Sequence, residues 1–117
     1  MGYESRLYIV SREMKFQDDT PRYAKVIAEI DLCKVYIPLD QFFAKEADCY
    51  IYIGNEKTTK DCYDKPLTIC TDLKGFIAWM KQQNKSCYYR RWGMAIALLK
   101  SIKPKEWDDI QVLHYGH

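Results

Sequence analysis

The hydrophobic period of this chain changes twice. Up to about residue 70 apolar side chains tend to alternate, with a period of about two. From Leu73 to Ile102 they recur at intervals of three and four, and from Ile110 the alternation returns. A chain patterned in this way lays down most of a sheet, covers it with helices, and comes back to the sheet with its last strand.

The early strands carry this pattern plainly. Ser5 to Arg12 places Leu7 and Ile9 on one face and Tyr8 and Val10 on the other. After the polar turn Gln17–Pro21, the run Tyr23 to Leu32 sets Ala24, Val26, Ala28, Ile30 and Leu32 against Lys25, Glu29 and Asp31, with Ile27 the one exception. The two are expected to pair as an antiparallel hairpin. Leu39 to Lys45, after Pro38, has the length of a short helix that packs Phe42 or Phe43 inward. Asp48 to Ile53 reads as a central strand, with Cys49, Ile51 and Ile53 opposed to Tyr50 and Tyr52. Gly54-Asn55 opens a polar loop to about Asp64, and Lys65 to Cys70 reads as a short strand pushed to an edge by Pro66.

Thr71 or Asp72 is placed to cap a helix from Leu73 to about Asn84. Leu73, Phe76, Ile77 and Met80 form its apolar stripe. At about 100° per residue, Lys74, Lys81 and Lys85 gather on one flank of that stripe. Gly75, in the second turn, weakens the helix and signals a close approach. A second helix runs from Ser86 or Cys87 to Ile102 and is stopped by Pro104. Tyr88, Trp92, Ala95, Ile96 and Leu99 are its core face, Arg90 points away, and Arg91 and Lys100 lie near opposite flanks. Gly93, Ala97 and Ser101 make an outward ridge of small residues that admits a packed neighbour or a homodimer contact. Pro104 to Trp107 makes a short helical turn, and Ile110 to Tyr115 forms the last strand, beside an N-terminal one. The expected fold is α+β, in one domain spanning residues 1–117: a mostly antiparallel sheet of four to five strands, two C-terminal-half helices packed on one face, and a short helix between strands.

Charge follows the same division. Residues 1–56 hold seven cations and ten anions, residues 57–105 eleven cations and three anions, and residues 106–117 three anions without a cation. Within this pattern Leu73 to Lys105 carries eight cations and no carboxylate. This asymmetry predicts one basic and one mildly acidic face. The sequence pI of about 8.2 is lower than that of a dedicated nucleic-acid binder.

Catalytic and metal-binding signatures are missing from the sequence. The five cysteines, Cys33, Cys49, Cys62, Cys70 and Cys87, are widely spaced and odd in number, which suits reduced thiols in a cytoplasmic setting better than a disulfide framework. Met1 to Arg12 is too short and too charged for a secretory signal, and no apolar run has the length of a membrane span. His114 and His117 are the two histidines; a metal site would need Cys62, Cys70 and His114 to converge from distant segments. The glycines are scattered, so no phosphate loop exists, and Asp18-Asp19 and Asp108-Asp109 read as solvated turns. No cofactor and no catalytic residue is expected.

Three segments carry a resemblance. Met1-Gly2-Tyr3-Glu4-Ser5-Arg6-Leu7-Tyr8, Asp48-Cys49-Tyr50-Ile51-Tyr52 and Val112-Leu113-His114-Tyr115-Gly116-His117 are similar to small uncharacterised proteins of phages and prophages. The resemblance implies a compact accessory protein of a mobile element, a class in which many members bind and inhibit a host protein. It transfers no site residue. The expectation is therefore a non-catalytic protein-interaction module, of the kind that inhibits a host defence protein, with no membrane association. Its contact surface would be Lys74, Lys81, Lys85, Tyr89, Arg90 and Arg91, and its partner a host or self protein with an acidic surface. The alternative is a nucleic-acid-binding domain using the same helices.

Overall fold

A computed structural model describes residues 4–12, 22–34, 41–86, 90–102 and 110–116. The strands are β1 (Glu4–Arg12), β2 (Arg22–Lys34), β3 (Lys45–Glu46), β4 (Cys49–Ile53), β5 (Glu56–Thr58), β6 (Thr68–Ile69) and β7 (Ile110–Gly116). Two helices, α1 (Leu73–Ser86) and α2 (Arg90–Lys100), lie between β6 and β7. The class is α+β, as the periodicity indicates. The sheet is larger than expected: seven strands in the order β3-β6-β7-β1-β2-β4-β5, mixed in direction and curled into a half-barrel.

The central strands follow the alternation closely. β1 pairs antiparallel with β2 on one side and with β7 on the other. Leu7 and Ile9 face the helices, and Tyr8 and Val10 face the opposite core; all four are buried. Along β7, Val112 joins the helix side while Leu113 joins the other.

β2 is less regular than its sequence suggests. Ile9 pairs with Ala28 but Val10 pairs with Val26, so β2 holds one extra residue at Ile27, a β-bulge. The bulge moves the apolar row from one face to the other. Ile30 and Leu32 pack under the helices with Ala28 beside them, whereas Ala24 belongs to the second core with Val26 beside it. The exception in the sequence pattern is the residue that lets one strand serve two cores, and it is left 52% exposed.

The first core packs Phe76 and Met80 of α1 and Trp92, Ile96 and Leu99 of α2 against β1, β2 and β7, with Phe42 and Phe43 beside them. Trp92 also donates from Nε1 to the Leu32 carbonyl, 3.4 Å away. The second core joins Cys49 and Ile51 of β4 to Leu67 and Ile69 at β6, across Tyr8, Val10 and Leu113. β4 and β6 are separated by three strands in the sheet order, so sharing one core requires the sheet to curl. Backbone bonds hold the curl: Leu67 N–H donates to the Thr59 carbonyl at 3.2 Å and Ala47 N–H to the Leu67 carbonyl at 2.8 Å.

Four expectations need correction. No helix covers residues 41–45: Gln41–Phe42 is a turn and Lys45–Glu46 pairs with β6, while Leu39 and Asp40 lie outside the described residues. Phe42 and Phe43 are nonetheless both buried, because edge pairing fixes the segment without a helix. The segment after Gly54 is not a loop throughout. Gly54 takes the left-handed conformation (φ 63°) and turns β4 back into β5, whose charged residues carry no apolar signature. β6 is not an edge, since Pro66 precedes it and Thr68–Ile69 sit between β3 and β7. β4 is one strand in from the edge rather than central, and it pairs with β2 in parallel at Arg22 and Tyr23 alone. The expected turn at Pro104 to Trp107 lies outside the described residues.

Candidate functional site

The lysine flank and the two-helix packing meet in one place. α1 and α2 pack as a hairpin, so the first two turns of α1 stand beside the last turn of α2. Between them runs a groove of about 540 Å³. Leu73, Ile77 and Ala78 of α1 and Leu99 and Ile102 at the end of α2 make its apolar lining, and Lys74, Lys81 and Lys100 bring three ammonium groups to it. All three lysines are exposed. Their stems cover apolar surface while the charged ends stay in water.

The mouth of the groove is the start of α1. Asp72 caps the helix: its Oδ1 accepts the Gly75 N–H at 2.9 Å, and the Phe76 N–H donates to the Asp72 carbonyl at 3.0 Å. The close approach signalled by Gly75 is this carboxylate. A Cβ on Gly75 would lie 2.7 Å from Asp72 Cγ. Thr71, also at the mouth, is tied to the Phe42 carbonyl through its N–H at 2.7 Å and its hydroxyl at 3.2 Å.

The six residues expected as a contact surface do not form one cluster. Lys74 and Lys81 share the groove. Lys85 lies in the last turn of α1, eleven residues beyond Lys74, or about 16 Å along the axis. Arg90 and Arg91 begin α2 at that far end. Only the backbone of these three is described, and Tyr89 lies outside the described residues. Lys100 is the groove residue that sequence reasoning left out. Its place on a flank of the second helix was visible, but its meeting with Lys74 depends on how the helices pack.

The small-residue ridge of α2 points outward: Gly93, Ala97 and Ser101 are exposed, and a Cβ at Gly93 would meet nothing within 4 Å. A second surface forms where β2 meets β4. There Tyr23, Tyr50 and Tyr52 stand with ring centroids 5.7 to 5.8 Å apart, and Lys57 Nζ sits 4.4 Å above the Tyr50 ring.

Thiol and imidazole are kept apart. His114 Nε2 lies 2.8 Å from Ser5 Oγ, and its ring packs on Phe43. The next residue, Tyr115, points to the opposite face of β7, where its hydroxyl lies 3.0 Å from Cys62 Sγ. Cys62 and His114 are therefore on opposite sides of the sheet. Burial pushes the Cys70 thiol up to about 11, far from a reactive thiolate. Among the described residues no three His, Cys, Asp or Glu side chains are placed to hold a metal ion, and no helix is long and apolar enough to cross a membrane. The chain matches no protein-family model, no curated protein and no solved structure.

Proposed function

We propose that this protein is a non-catalytic interaction module that binds an acidic protein partner through the groove between α1 and α2. The observation that carries this reading is the pairing of an apolar lining with three lysines in one cleft. Apolar lining supplies area, and the lysines supply orientation and selection for a segment bearing carboxylates. The same geometry favours protein over nucleic acid, because an apolar floor has nothing to offer a phosphate backbone. With the resemblance to phage and prophage proteins, this reading extends to a cytoplasmic inhibitor that occupies a host defence protein.

The test is capture from host lysate by the tagged chain, followed by the triple variant Lys74→Glu, Lys81→Glu and Lys100→Glu. The intact chain recovers a stoichiometric protein partner, and the triple variant, with an unchanged unfolding midpoint, loses it. Equal capture by both sinks the site. A gel-shift with affinity falling steeply as salt rises replaces the protein partner with nucleic acid.

A further inference from the structure

β2 is the longest strand of the sheet, and its two sides are treated differently. β1 pairs along one side from Glu4 opposite Lys34 to Arg12 opposite Ala24. On the other side, among the described residues, β4 meets only Arg22 and Tyr23. Beyond the Ile27 bulge the strand thus presents an outer edge of backbone N–H and C=O groups over Ala28–Leu32. α2 borders this edge on the helix-covered face. Between strand and helix lies a groove of about 430 Å³, lined by Glu29, Ile30 and Asp31 on one wall and Met94, Ala95 and Leu98 on the other. Met94 is 70% exposed and Leu98 37%, although the buried face of the same helix is only one residue away.

We propose that this groove takes an extended segment of another protein as an added strand on β2, one in which apolar residues alternate with lysine or arginine. Main-chain bonds to the free edge supply a common share of the binding, and the side chains select by period two. Those pointing to the helix side meet Met94, whose flexible thioether suits varied partners, and Leu98. Those pointing the other way come beside Glu29, half exposed and bonded to Arg6 at 3.1 Å, and Asp31, which makes that wall acidic.

A second copy of this chain does not fit the same edge. Antiparallel self-pairing centred on Ile30 sets Glu29 opposite Asp31 of the other copy, a like-charge pair. Centring on Ile27 does not help: the bulge puts Lys25 and Glu29 on opposite faces, so they cannot meet across the pair. The site is separate from the lysine groove and does not depend on it.

The probe is a short blocked peptide alternating valine and lysine. Its controls are the same residues in block order and a valine–glutamate alternation. Anisotropy shows the valine–lysine alternation binding, and hydrogen exchange shows alternate amides between Ala28 and Leu32 slowed, those not bonded to β1. Met94→Ser with Leu98→Ser weakens binding by about tenfold or more, as for loss of an apolar anchor. Met94→Ser alone, at the more exposed position, weakens it in the same direction if the double variant fails to fold. Lys74→Glu leaves the affinity unchanged, which separates this site from the α1–α2 groove. Equal binding by the block-order peptide, unslowed β2 amides, or a dimer of the unliganded chain that Met94→Ser dissociates would each overturn the proposal.

Discussion

Val10 of β1 pairs with Val26 of β2, although its neighbour Ile9 pairs with Ala28. The residue skipped between them, Ile27, is what allows β2 to place Ile30 and Leu32 in one core and Ala24 in the other. Deleting Ile27 leaves Val26 and Ala28 as neighbours on opposite faces, which is where each already points. Deleting Glu29 instead joins Ala28 to Ile30 and turns Ile30 and Leu32 out of the core relative to the first half of the strand. The expected result is a cooperative unfolding transition for the Ile27 deletion and none for the Glu29 deletion. Urea melts followed by tryptophan fluorescence check this, and two deletions of equal effect would remove the bulge from the account.

The same strand shows how far the sequence carries. β1, β4 and β7, and the stripe of α1, are local patterns, and Leu7, Cys49, Phe76 and Val112 are buried on the faces their spacing indicates. β2 also alternates, yet its continuous apolar row conceals a change of face, because a one-residue bulge shows only as an odd apolar residue. β5 is invisible for a different reason: Glu56, Lys57 and Thr58 are exposed or half exposed, and the hairpin turn at Gly54 alone marks them as a strand. Of the groove, helical phase finds Lys74 and Lys81, but Lys100 joins them only through the packing of two helices.

Asp72 and Gly75 make a matched pair at the start of α1. The carboxylate satisfies an N–H that the helix leaves without a partner and sits against the negative-favouring end of the helix dipole. Asp72→Ala is expected to lower stability by about 1 kcal/mol, with Asp72→Asn keeping most of it. Chemical denaturation measures both. Equal losses for Ala and Asn would show that charge, not the capping bond, is what matters.

Phe76 is the residue on which the first core turns. It is fully buried, and its ring meets Phe42 at 5.5 Å, Phe43 at 5.2 Å and Trp79 at 6.2 Å. Phe76→Ala should cost about 3–5 kcal/mol through lost burial and the cavity left behind. Trp79→Phe, on a half-buried ring at the border of the cluster, should cost much less. A denaturation series in which the two changes are equal would mean that the helix is not anchored through Phe76.

Tyr115 gives the protein a response at high pH. Its phenol is held up to about 12, first by the hydrogen bond with Cys62 and then by partial burial. The group is protonated in the fold beyond the pH at which a free phenol ionises, so its contribution to stability is complete below about 10 and is lost as pH rises towards about 12. Cys62→Ala removes the principal cause and should bring this tyrosine back towards the ordinary range of about 10. Phenolate absorbance followed through an alkaline titration of the intact chain should show one late-titrating tyrosine that the variant lacks. Cys62→Ser, which preserves a hydroxyl partner at the same place, should retain much of the delay. If neither substitution moves the late phase, the Cys62–Tyr115 contact does not control that titration.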